Sequence, residues 1–99
     1  MRVYPLSLSA RGAAIASAAT AQGLMDLSDV FRVRNGDRDA ALRALTRVVD
    51  RFPGSVYAPI AAHTIGKMLA DRGHHEEAAR HFDRARTLGL RTHVPPDTQ

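Results

Sequence analysis

Three histidines and two glutamates fall within eight residues, at His74-His75-Glu76-Glu77 and His81. Imidazoles beside carboxylates are the donors that a divalent transition metal takes. Glu77 and His81 stand four apart and share a face if the segment is helical. A metal centre, however, needs three or four donors converging on one point. His74 falls at the cap of the helix that the pattern predicts. Glu76 and Glu77 fall in its first turn, where negative charge complements the helix dipole. Capping and solvation therefore account for the cluster, and neither a metal nor another cofactor is expected.

Catalytic constellations are missing as well. The chain has no glycine-rich phosphate loop, no nucleophile elbow and no pair of carboxylates in apolar surroundings. Serines and histidines occur without a spacing that selects a triad. The expectation is a protein that is not an enzyme. The other chemistry on offer is cationic. Thirteen of the fourteen basic residues are arginine, Lys67 is the only lysine, and the net charge is +4. Arg43, Arg47 and Arg51 recur every four residues, and Arg80 and Arg84 repeat the spacing further on. Such a face could meet phosphates or acidic protein. Asp39, Asp50 and Asp83 dilute it, no nucleic-acid reading motif accompanies it, and it is read as the solvated side of two helices.

The elements that carry these residues follow from composition and period. Apolar residues are 44% of the chain, but alanine supplies many of them, tryptophan is absent and only five residues are aromatic. A core of alanine, leucine, valine and isoleucine suits closely packed helices better than a deep small-molecule pocket. There are no cysteines, which excludes disulfides and thiolate metal sites. No run of 18 apolar residues suggests a membrane span. The segment from Gly12 to Ala21, ending Ala19-Thr20-Ala21, faintly resembles a secretory signal, but Pro5, Arg11 and several serines interrupt it. The cytoplasm is the expected compartment, with the periplasm or envelope as the alternative if that segment acts as a signal.

Residues 1–8 read as an extended arm, since Pro5 disfavours helix at Tyr4. Ser9 is suited to cap an alanine-rich helix from Ala10 to Ala21, with Ile15 its only large apolar residue. Gly23 marks a bend. Leu24, Leu27, Val30 and Phe31 then lie on one helical face. Asn35-Gly36-Asp37 is a turn signal, and Asp37 caps a helix whose stripe is Ala41, Leu42, Leu45, Val48, Val49 and Phe52. Pro53-Gly54 ends it. Ser55 caps the next, with Pro59 tolerated in the first turn, and Ile60, Ala61, Ile65, Met68 and Leu69 continue it to Gly73. The last helix begins at His74 or His75, faces Ala78, Ala79, Phe82 and Ala85 inward, and reaches Leu88, with Gly89 as its C-cap. Residues 91–99, with Pro95-Pro96, are expected to be disordered.

Two of these helices echo each other. Gly36, Ala41, Leu45, Val48 and Pro53 recur 37 residues later as Gly73, Ala78, Phe82, Ala85 and Leu90. Adding the helix before each gives Leu24, Leu27, Ser28, Phe31, Ala41, Leu45 and Pro53 in the first copy. The second reads Ala62, Ile65, Gly66, Leu69, Ala78, Phe82 and Leu90. This pattern resembles the tetratricopeptide repeat, a 34-residue helical hairpin. The first copy has one extra residue in its inter-helix turn, both large first-position residues are missing, and Leu90 replaces the second closing proline. The linker Phe52-Pro53-Gly54-Ser55-Val56-Tyr57-Ala58 resembles those of bacterial envelope proteins of the Tol-Pal accessory type.

The resemblance implies an all-α fold, a short α-solenoid of two antiparallel helical hairpins over about 24–53 and 59–90. The alanine-rich helix precedes them within one domain spanning 9–90. It also implies a scaffold that holds a partner peptide or helix in a groove lined by the first helix of each hairpin. Carried over, that groove presents Gln22, Met25, Asp26, Asp29 and Arg32 from the first copy, and Ile60, His63, Thr64, Lys67 and Asp71 from the second. In the same frame His75 points towards the neighbouring helix. The lysine and asparagine clamp of chaperone-binding members is missing, so chaperone binding is not expected. Two repeats leave end faces uncovered, and a homo-oligomer or an obligate partner is the expected remedy. An accessory protein that uses the arginine face on nucleic acid is the alternative; a membrane-inserted protein is not expected.

Overall fold

The computed structural model describes residues 13–15 and 19–92. The arm expected over 1–8 and the cap expected at Ser9 lie outside them, as do residues 93–99 of the expected tail. Within the described residues the protein is all-helical, without strands. Four helices follow one another: α1 at Ala21–Asp29, α2 at Arg38–Arg51, α3 at Tyr57–Asp71 and α4 at His75–Thr92. Residues 13–15 are also helical.

The alanine-rich helix does not continue to Ala21, and the break is at Ala19–Thr20, not Gly23. Thr20 is extended (φ −133°, ψ 154°), and its Oγ1 accepts the Gly23 N–H at 3.0 Å. A β-branched residue with a side-chain acceptor gains more as an N-cap than inside a helix. Gly23 thus sits inside the first turn of α1. The other expected caps lie close to their places. Asp37 Oδ1 accepts the Ala40 N–H at 2.9 Å. Ser55 Oγ accepts the Tyr57 N–H at 3.0 Å, one residue ahead of the cap residue Val56.

The two sharp turns share a design. At the end of α3, His74 N–H donates to Leu69 O at 2.9 Å and Gly73 N–H to Ala70 O at 3.0 Å. Gly73 takes φ +86°. That is a Schellman closure, in which only glycine reaches the left-handed position without a Cβ penalty. Before α2, Gly36 takes φ +64°, but the closure is wider: Asp37 N–H reaches back to Phe31 O at 2.8 Å, one residue further than His74 to Leu69, and Asn35 N–H reaches Val30 O at 3.2 Å. The segment Val30–Arg34 is accordingly a π turn. From Ser28 to Ala41 is 13 positions and from Gly66 to Ala78 is 12, so the widened turn takes up the extra residue of the first copy.

Ion pairs and close contacts give the helix directions. Asp71 and Arg72, at the end of α3, meet Arg38 and Asp39, at the start of α2, at 3.7 and 3.3 Å, so these helices run antiparallel. A Cβ on Gly89, late in α4, would lie 3.9 Å from Pro59, early in α3, so α3 and α4 are antiparallel too. Each helix packs on the next, and α1 also touches α3, whereas α2 and α4 make no backbone contact.

The core joins Leu24 of α1 and Phe31 of the π turn to Leu45 and Val48 of α2, all but sealed from solvent. Each such side chain contributes about 1.5–3 kcal/mol through burial. Between them Ala40, Ala41, Ala44, Ala58, Ala61 and Ala62 are completely buried; single methyls let the backbones approach. Ser28, the one buried polar residue among those described, donates its hydroxyl to Met25 O at 2.8 Å. Two expectations for α4 are corrected. Ala79 is exposed, because the inward stripe of Ala78, Phe82 and Ala85 passes it by. Gly89 does not cap the helix, which continues through Arg91 and Thr92.

Candidate functional site

The groove residues expected from sequence fall on α1, on the π turn that follows it and on α3, and α1 and α3 touch. Gln22, Asp26 and Asp29 of α1 and Arg32 of the π turn are exposed, and Arg32 pairs with Asp29 at 3.1 Å. Met25 is half-buried against the core. On α3, Ile60, His63, Lys67 and Asp71 are exposed. Thr64 is half-buried, and its hydroxyl donates to Ile60 O at 2.9 Å. That bond leaves the oxygen free to accept and turns the methyl outward.

These side chains divide between two hollows. One, of about 480 Å³, lies between the π turn and α3 and is lined by Arg32, Thr64, Lys67 and Asp71 together with Gly36, Arg38 and Met68. Here the structure brings four expected residues into one concavity. Arg38 joins them because the Gly36 turn folds the start of α2 back over α1. Its guanidinium meets Asp71 at 3.7 Å. Lys67 makes no ion pair among the described residues, so the hollow holds three cations to one carboxylate.

The second hollow, also about 480 Å³, opens between α3 and α4. Pro59, Ile60, His63 and Thr64 line it from one side, Phe82, Ala85 and Arg86 from the other. Ile60 is 52% exposed. His63 lies over Phe82 with ring centroids 5.1 Å apart at 50°, a tilted contact that shields half the phenyl ring. Thr64 stands on the ridge between the two hollows.

Of the arginine row, Arg43 and Arg51 are exposed, as are Arg80 and Arg84, while Arg47 is half-buried. Arg43, Arg47 and Arg51 line a cleft of about 380 Å³ whose other wall is Ile15. Ile15 is buried to 6%; it packs beside the half-buried Leu42, where arginine methylenes can cover it while their heads stay wet. Arg47 is half-buried, and its Nε is sealed from solvent without an acceptor. Arg51 lies 5.7 Å over the Phe52 ring. From α4 only Arg84 approaches this row, bridging to Asp50 at 3.8 Å. Arg80 belongs to a different hollow, with His74, His75, Glu76 and Glu77. Four members of the histidine-glutamate cluster thus share a hollow with a cation, and His81 does not line it. Among the described residues no three His, Asp or Glu side chains are grouped to hold a metal, and no helix is long and apolar enough to cross a membrane.

Comparison with protein-family models, with curated proteins and with solved structures gives no match to this chain.

Proposed function

We propose that this chain is a non-enzymatic protein-interaction module, a pair of tetratricopeptide-like hairpins that holds a partner peptide or helix on the face shared by α1 and α3. The observation that carries the reading is the meeting of Arg32, from the π turn after α1, with Thr64, Lys67 and Asp71, from α3, around one open hollow. Side chains from two elements that are not consecutive form a concave, polar-lined surface on a rigid backbone. Such a surface offers hydrogen bonds and charge to a partner without ordering cost in the scaffold. Asp26 and Asp29 stand on the same face, Asp29 paired with Arg32, so the face offers both signs of charge to a partner.

The test is recovery of partners by the wild-type chain and by the double variant Asp29→Arg with Lys67→Glu, which reverses the charge at both positions. Loss of the wild-type partners supports the reading; equal recovery by both chains overturns it.

Self-association is part of the proposal. The hollow between α3 and α4 leaves Ile60 half exposed beside Pro59 and Phe82, and a second copy is the simplest cover for it. Light scattering after size exclusion should find an oligomer that Ile60→Arg dissociates. A folded wild-type monomer at high concentration rejects this part.

A further inference from the structure

We infer that the cleft between residue Ile15 and α2 is a second docking site, which takes an acidic peptide segment anchored by an apolar side chain. The site is separate from the face of α1 and α3, and the inference goes beyond the function proposed for that face.

Arg43, Arg47 and Arg51 stand at successive turns of α2 along one cleft, a row about 12 Å long. None of the three makes an ion pair among the described residues. The one acid in the cleft, Asp50, is engaged by Arg84. Arg47 is half-buried, and its Nε has no acceptor among the described residues, so this side of the row lacks a counter-charge of its own. A guanidinium fork presents paired donors to both oxygens of a carboxylate. The cleft thus sets three arginines against one carboxylate, and Arg84 already engages that one.

Asp29, Asp39, Asp71 and Asp83 are each paired with an arginine outside the cleft. Carboxylates of another molecule are the complement proposed for the arginine row.

The wall of the cleft selects the kind of molecule. Ile15 and Leu42 give it an apolar side, which an aliphatic side chain between two acidic residues would cover. A nucleic acid brings phosphates and flat bases but no such side chain, and its bases need aromatic platforms. The aromatic ring nearest the arginine row, Phe52, already has Arg51 over it.

The probes are three labelled ligands titrated by fluorescence anisotropy against the full chain. The first is an acidic peptide of aspartates and glutamates with one central leucine, the second has serine in its place, and the third is a single-stranded DNA of equal charge. The leucine peptide should bind about tenfold more tightly than either of the others. Arg47→Gln should weaken it by about tenfold, and Arg43→Glu, at an exposed position, should do the same without touching the core. The groove variant Asp29→Arg with Lys67→Glu should bind it as wild type does. No binding, equal binding of the serine peptide, tighter binding of the DNA, or indifference to both arginine variants would each overturn the inference. Circular dichroism of each variant separates lost binding from lost fold, and Arg43→Glu stands in if Arg47→Gln unfolds.

Discussion

Gly66 of α3 lies against the ring of Phe82 of α4 so closely that a Cβ at position 66 would meet ring atoms Cε1 and Cδ1 at 2.6 and 2.7 Å. The ring also meets His63, three residues before Gly66 on α3, with centroids 5.1 Å apart. Phe82 therefore packs on one stretch of α3, and the closeness of α3 to α4 depends on the missing methyl at Gly66.

Gly66→Ala forces the ring to move. Overpacking of this kind costs about 1–3 kcal/mol, while the better helix propensity of alanine returns up to about 1 kcal/mol. A net loss of about 1 kcal/mol is expected as a lower urea midpoint with unchanged slope. Phe82→Leu in the same chain should recover part of it, because the shorter side chain vacates the contested volume. A midpoint at or above wild type in the single variant would show that the ring swings freely into the hollow beside it.

The π turn gives a sharper test. Val33 is 74% exposed within it, and deleting Val33 restores the 12-residue spacing found between Gly66 and Ala78. The first turn should then close as the second does, with Gly36 still left-handed and Asp37 still capping. Stability is expected to change by no more than about 1 kcal/mol, the range of surface changes that break no core contact. Loss of helicity in the deletion variant would mean that the widened turn itself positions α2.

Much of this fold was legible because the signals were local. Asp37, Ser55 and the Gly73 turn declare themselves through backbone chemistry that needs only neighbours in sequence. The stripe of Leu45, Val48 and Val49 declares itself through its period. Alanine carries no such signal. Ala40, Ala44 and Ala58 are buried and Ala79 is exposed, yet a single methyl fits either environment, so pattern alone could not sort them. For the same reason the break at Thr20 was hidden inside a run where nearly every residue favours helix. The hollow was legible only in part. Lys67 lies on the helix that the pattern gives it, whereas Arg32 lies in the π turn and its meeting with Arg38 and Lys67 depends on how the Gly36 turn sets α2 across α1. Arg47 was read from its helical phase as solvated, and only the packing of Ile15, distant in sequence, encloses it.

Gly73→Ala tests the turn alone. A Cβ there meets nothing within 4 Å, so any loss comes from the positive φ and not from crowding. A cost of about 1–2 kcal/mol is expected, with Gly73→Asn cheaper because asparagine tolerates the left-handed region. The check is thermal unfolding of both variants. Equal stability of alanine and glycine at this position would contradict the Schellman closure.

The crossed ion pairs Arg38–Asp71 and Arg72–Asp39 couple the start of α2 to the end of α3. All four side chains are more than a third exposed, so solvent screens them and each pair is worth less than about 1 kcal/mol. Arg38→Asp alone should cost up to that amount, since it sets a third carboxylate beside Asp39 and Asp71. Adding Asp71→Arg should restore the attraction with its direction exchanged. A double-mutant cycle therefore predicts a favourable coupling that shrinks when salt is raised from about 0.1 to 1 M, as the screening length falls from about 10 to 3 Å. A coupling that survives high salt would mean that the pairs hold α2 and α3 through packing of their stems and not through charge. The same variants bear on the proposed groove, because Arg38 and Asp71 line it. If the hollow recognises charge, Arg38→Asp should lower partner recovery more than it lowers stability, and the exchanged pair should restore stability without restoring recovery.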